Sequence, residues 1–219
     1  MLFTFVFRLG LGIALSAVVG VALIRAQRVD DSSLLHFLRQ GCETEVGVCW
    51  YGIHPGFTRV DDAVALLEAH PWIDDVTVER QPSMEYIYWR WNEQRPPFLD
   101  SPEEQLPPFI WARSEVIDHI AIPTALSYGD MLRTLGAPEL GMFRVLRARP
   151  NSRFPTLDRV WHMAGYEEGQ YLVYTTTPCP ITPRSIWRST VTLSLYSAVR
   201  VPLEAYDFDH WLYRVTCQV

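Results

Sequence analysis

One short phrase occurs twice in this chain and constrains its fold more than any other feature. Residues 53–61 read IHPGFTRVD and residues 122–130 read IPTALSYGD. Both follow one pattern: Ile, three residues, an apolar residue, Ser or Thr, two residues, then Asp. Thr58 with Asp61, and Ser127 with Asp130, stand at the spacing of a helix capping box. Apolar residues follow at helical intervals, Ala63, Val64, Leu66 and Leu67 in one copy and Met131, Leu132 and Leu135 in the other. Pro71 stops the first run, and Gly136 with Pro138 stops the second. Two equivalent helix starts predict a duplicated unit.

Between the helices the periodicity changes to two. In Met84 to Trp91, Ile87, Trp89 and Trp91 alternate with Tyr86, Tyr88 and Arg90. Such alternation predicts a strand with one buried face and one outward face. Tyr86, Tyr88 and Arg90 are therefore candidates for an interaction face. Asp74-Asp75 reads as a turn after Pro71, and Val76 to Val78 as a strand. Further strands are expected at Phe109 to Ala112, Val116 to Ile122, Met142 to Ala148, Arg159 to Ala164, Gln170 to Thr176, Ser189 to Val201 and His210 to Cys217. The proline-rich runs 95–108 and 178–183 read as breaks. An amphipathic helix is expected over Val29 to Gln40.

Residues Leu9 to Ile24 carry no charge. With the apolar start in front, and Arg8 able to snorkel, the stretch reaches the roughly 20 residues a spanning helix needs. A cleaved signal peptide would need small residues at −3 and −1; Leu15 and Ile24 occupy the −3 positions of the candidates ending at Ala17 and Ala26. Gly10, Gly12 and Gly20 weaken a soluble core helix. A retained signal anchor fits best, and membrane contact through this helix is expected.

The fold class this predicts is α+β: an N-terminal transmembrane helix, then an antiparallel sheet with short helices packed on one face, as a duplicated unit. The expected parts are an anchor at 1–28, a first α+β unit with a proline-rich linker at 29–108, and a second unit with C-terminal strands at 109–219.

All 19 basic residues are arginine, so lysine chemistry is excluded. Sixteen arginines face 25 acidic residues after position 28. A body this acidic, without a basic stripe, argues against nucleic acid as partner. Four cysteines, Cys42, Cys49, Cys179 and Cys217, form no C-x-x-C. An even count fits an exported domain with two bridges. Cys42 and Cys49 enclose a short loop suited to a local bridge, but four cysteines allow three pairings. Four free thiols in a reducing compartment are the alternative.

From Leu126 to Pro138 the chain reads LSYGDMLRTLGAP. This resembles the β-lactamase-inhibitor-protein-like units, a group that includes small outer-membrane-assembly lipoproteins. Their helix opens on Gly-x-Thr or Gly-x-Ser and ends in Leu-Gly-x-Pro. The first copy keeps Gly56-Phe57-Thr58 but ends Glu68-Ala69-His70-Pro71; the second keeps Leu135-Gly136 and Pro138 but has Thr124-Ala125 at its opening. The resemblance spans roughly 50–176 and implies a scaffold that binds rather than catalyses. The run from Cys49 to Thr58 also looks like exported bacterial proteins and implies no activity.

Motifs for catalysis are missing: there is no G-x-S-x-G, H-E-x-x-H, P-loop or G-x-G-x-x-G. Asp118-His119 are strand neighbours expected on opposite faces. Asp207, Asp209 and His210 read as a polar turn. No cofactor and no metal site is implied. The expectation is a single-pass membrane protein with an extracytoplasmic domain, non-catalytic, docking a protein partner or an envelope component. An exported hydrolase-like enzyme with a site assembled from distant residues is the alternative, and a cytoplasmic-side accessory protein the third reading.

Overall fold

In the computed structural model, the described residues are 34, 36–38, 40–42, 48–100, 106–146, 158–166, 171–197 and 203–205. From Phe37 onward the chain forms one compact unit. Its frame is a single antiparallel sheet of nine strands in the order β1-β2-β3-β4-β8-β7-β6-β5-β9. The strands are β1 Ile73–Arg80, β2 Glu85–Trp91, β3 Phe109–Arg113, β4 Val116–Ser127, β5 Leu140–Leu146, β6 Arg159–Tyr166, β7 Tyr171–Pro178, β8 Thr190–Tyr196 and β9 Glu204–Ala205. Helices among the described residues include α1 Val60–Glu68, α2 Tyr128–Leu135 and α3 Pro183–Arg188, and residues 34 and 36–38 are helical as well.

This corrects the expected fold class. Helices α1, α2 and α3 are short, of nine, eight and six residues. The strands do not sort into separate α+β units: β2 pairs with β3 across the proline-rich 95–108 run, and β4 pairs with β8 from His119↔Tyr196 to Pro123↔Thr192. Hydrogen bonding across that seam makes one sheet of both meanders. The expected transmembrane helix at 1–28 lies outside the described residues. Among the described residues no helix is long and apolar enough to cross a membrane. The single-pass placement is corrected accordingly.

The two copies of the phrase also differ in structure. At the second copy Ser127 caps α2 as expected. The Asp130 amide donates to its Oγ at 3.2 Å, and the Ser127 amide donates to Asp130 Oδ2 at 2.8 Å. Gly136, at φ +83°, ends the helix in a conformation that disfavours a side chain. At the first copy the helix starts later, with Arg59 at the N-cap and no side-chain cap bond. The physical reason is a competing ladder. The Gly56 and Val60 amides donate to Ile117 O and Glu115 O, and the Ile117 amide donates to Thr58 O. Thr58 and Arg59 are thereby held against the start of β4, with Arg59 bridged to Val116. The Thr58 hydroxyl instead accepts the His54 amide at 2.8 Å.

Asp74 and Asp75 lie within β1 rather than in a turn, at a register shift between Ile73 and Asp75. β4 runs on to Ser127 and enters α2 directly. Helix α3 occupies the end of the proline-rich 178–183 break, with Thr182 and Ser185 forming a capping box. The strand expected over 210–217 lies outside the described residues.

The sheet's two faces differ. One carries the row Val78–Ile87–Ile110–Ile120–Leu195, paired strand to strand. Its last four members are all but fully buried, each contributing about 2 kcal/mol through area removed from water. Trp50 stacks on Trp89 at 5.5 Å over this face, with Trp91 at 6.1 Å and His70 at 5.8 Å. Several of the eight tryptophans are thus core.

Candidate functional site

The opposite face is built from the alternate positions of the same strands. Register places Glu79, Tyr86, Trp111, His119 and Tyr196 side by side across β1, β2, β3, β4 and β8. The next row runs Thr77, Tyr88, Phe109, Ala121 and Ser194. Two aromatic rows therefore converge on the seam between β4 and β8.

The rings are in mutual contact. Tyr86 and Tyr88 stack at 6.1 Å and 11°. Tyr88 meets Phe109 at 6.3 Å, and Phe109 and Trp111 present edges to His119 at 5.7 and 5.9 Å. The His119 ring stacks on Tyr196 at 4.0 Å. Tyr86, Tyr88, Phe109, Trp111 and Tyr196 are partly exposed, whereas His119 is buried. The candidate Arg90 sits at the rim, exposed, with its guanidinium 3.3 Å from Asp75 and 4.0 Å from Asp74. A second rim cation, Arg113, lies 5.4 Å over the Trp111 ring.

A polar network underlies the rings. His119 Nε2 and Ser194 Oγ are 3.2 Å apart. The hydroxyls of Tyr174 and Tyr196 lie close to Ser194, which favours their ionised forms against burial, as Thr192 does for Tyr174. Burial lowers the His119 pKa to about 3 against the pull of Asp118, so its ring is neutral. Burial likewise raises Tyr196, to about 12, with Tyr174 adding to it. Tyr88 is raised by burial, then by Glu79 and Tyr86.

A histidine beside a serine invites comparison with a nucleophile and its base. His119 is only 5% exposed and Ser194 1%. Asp118 is not aligned as a third member. It lies at the register shift of β4 and holds Ser197 and, at 3.6 Å, Arg113. The pair is packed inside the sheet seam.

Elsewhere, Arg59, Asp61, Arg80, Glu85 and Glu115 line a polar cavity of about 250 Å³. Their charges answer one another: Arg59 pairs with Glu115, and Arg80 with Glu85 at 3.0 Å and Asp61 at 3.6 Å. Among the described residues no three His, Cys, Asp or Glu side chains gather to hold a metal ion.

Cys42 and Cys49 are joined as a disulfide, with Cα atoms 5.7 Å apart. Cys179 is also disulfide-bonded; Cys217 lies outside the described residues. Tyr86, Tyr88 and Arg90 do share one face, and the fold adds Phe109, Trp111, His119 and Tyr196 to it. The alternation in Phe109–Arg113 was a signal for Phe109 and Trp111. Nothing local marked Tyr196, which reaches the face only through the long-range β4–β8 pairing.

No protein-family model matches this chain, and neither a curated protein nor a solved structure does.

Proposed function

We propose that this chain is a non-catalytic binding domain that docks a protein partner on the aromatic face of its sheet. The observation that carries the reading is the row Tyr86–Trp111–His119–Tyr196, flanked by Tyr88 and Phe109. Packed aromatic side chains that keep part of their surface exposed give large contact area at low entropic cost. Arg90 and Arg113 at the rim add the residue type that joins Trp and Tyr at binding hot spots. The strands hold these groups rigidly, so little ordering is required on binding. The resemblance to β-lactamase-inhibitor-protein-like units supports the same reading, since such units bind. The disulfides favour an oxidising compartment.

A photo-crosslinking residue placed at Tyr88, and separately at Glu68 on α1, tests this in the native host. One discrete protein adduct at Tyr88, none at Glu68, and loss of the adduct in Trp111→Ala is the expected result. Equal adducts at both positions, or none at either, would count against it. The exported-enzyme reading rests on the His119–Ser194 contact; hydrolysis of ester or amide substrates that disappears in Ser194→Ala would favour it instead.

A further inference from the structure

Helix α3 lies in a stretch that differs in charge from the rest of the chain. No Asp or Glu occurs between Glu168 and Glu204, in a protein of net charge −6. Arg184, Trp187 and Arg188 fall at i, i+3 and i+4, on one side of the helix. Ile186 faces the other way and is fully buried. Trp187 is 46% exposed, well out of the fold for the largest side chain. Neither arginine forms an ion pair with any described residue. Together with Pro183 these three residues line a shallow, open concavity.

The patch is held rigidly. The Ser185 amide donates to Thr182 Oγ1 at 3.0 Å, and the Thr182 amide donates to Ser185 Oγ at 2.8 Å. Ser189 Oγ donates to Ser185 O at 2.8 Å and lies 2.6 Å from Thr177 Oγ1. The Tyr128 amide donates to Ser189 O at 2.9 Å, tying α3 to the start of α2. The indole lies directly on Gly129, where an added Cβ would stand 2.2 Å from Nε1 and 2.3 Å from Cε2. The pyrrole edge is thus pinned on Gly129 while about half of the residue stays exposed.

A fixed aromatic surface between two guanidinium groups that form no ion pair with a described residue has complementarity for carboxylates beside an apolar side chain. We propose that Arg184, Trp187 and Arg188 form a second docking surface, which takes a carboxylate-rich polypeptide segment with an apolar residue laid on the Trp187 ring. The two arginines match two carboxylates of such a segment. A long polyanion would instead meet the negative charge of the whole body, which opposes both nucleic acid and anionic bilayers.

The probe is an acetylated, amidated peptide Asp-Glu-Leu-Glu-Glu, titrated into ¹⁵N-labelled protein. The indole N–H signal of Trp187 is assigned by its loss in Trp187→Phe. The peptide should shift that signal saturably, and the Gln-Gln-Leu-Gln-Gln counterpart should not. The doubly substituted Arg184→Gln/Arg188→Gln protein, altered only at exposed positions, should bind about tenfold or more weakly. Tyr88→Ala should bind unchanged, which separates this surface from the sheet face. No shift at millimolar peptide, or equal binding by the Arg184→Gln/Arg188→Gln protein, overturns the proposal. So does tighter arginine-dependent binding of a thymidine oligonucleotide or of phosphatidylglycerol vesicles. Concentration-dependent self-association that buries Trp187 without peptide would assign the surface to a second copy of the chain and overturn it equally.

Discussion

His119 and Tyr196 lie ring upon ring, centroids 4.0 Å apart and 17° from parallel, where β4 meets β8. They are directly opposed in register and belong to different meanders, one to β4 and the other to β8. This contact joins the two four-strand meanders on the aromatic face, while Ile120 and Leu195 join them on the other. Tyr196→Ala should remove the stack and open a void above Ser194. It should cost about 3 kcal/mol of stability in urea unfolding, and Tyr196→Phe about 1 kcal/mol, since the ring remains and only the Ser194 contact is lost. Equal losses for the two would show that the hydroxyl, and not the ring, holds the seam.

Acid should destabilise the fold through its buried histidines. Burial lowers His70 to about 4, and His119 and His162 to about 3. Above pH 6.5 these rings are neutral both folded and unfolded, so their contribution is constant. Below pH 6.5 the unfolded chain takes up protons that the folded chain refuses. Stability then falls by about 1.4 kcal/mol per pH unit for each ring, down to each folded pKa. Urea midpoints should be flat from pH 7 to 8 and drop steeply between pH 6 and 4. A His162→Phe variant, stacking on Phe143 as His162 does at 4.3 Å, should have a shallower slope. An unchanged slope would remove His162 from this account.

Asp130 adds to the same direction at lower pH. Burial opposes its ionised form, but the Ser127 hydrogen bonds and Arg133 prevail and hold its pKa below the usual carboxylate value. Its contribution is present above the unfolded pKa and lost as pH falls through the folded one. Ser127→Ala should therefore cost about 1 kcal/mol at neutral pH and less in acid, where Asp130 is already protonated. Thr58→Ala should leave helix α1 intact, because Thr58 caps the turn from His54 and not the helix; amide exchange across Ala63 to Leu67 would show this.

Gly129→Ala should be destabilising by about 2 kcal/mol, because a methyl group there collides with the Trp187 indole. The double change Gly129→Ala/Trp187→Ala should recover part of that loss, since the clash disappears with the ring. Thermal unfolding of the four proteins measures the coupling. Simple additivity would mean that the indole yields freely.

Reduction should loosen the segment before β1. The Cys42–Cys49 bridge closes a short loop, and its removal by Cys42→Ala/Cys49→Ala should cost about 2 to 3 kcal/mol. Unfolding with and without dithiothreitol checks this, with the double variant insensitive to reductant at that loop.

Much of the fold was written locally. Alternation in Glu85–Trp91 showed which side chains turn inward, because a pleated strand has period two whatever surrounds it. Ser127 and Asp130 declared a capping box because their bonds close within four residues. The same pattern misled at Thr58 and Asp61, where the backbone of Glu115 and Ile117 claims the amides and carbonyls a helix would have used. Asp74-Asp75 misled in the same way, since ladder pairing with β2 outweighed turn preference.

The aromatic site was only half legible. Tyr86, Tyr88 and Arg90 share a strand, so their common face followed from spacing alone. Trp111, His119 and Tyr196 join them through strand pairings that bring together residues up to 110 positions apart. By itself the sequence determined what each short segment prefers: its periodicity, its caps, its disulfide-competent cysteines and its acidic balance. Only the tertiary structure decided that β4 and β8 pair, which merges two meanders into one sheet and aligns their aromatic rows. That choice depends on burial and hydrogen bonding between distant segments, and no local propensity encodes it.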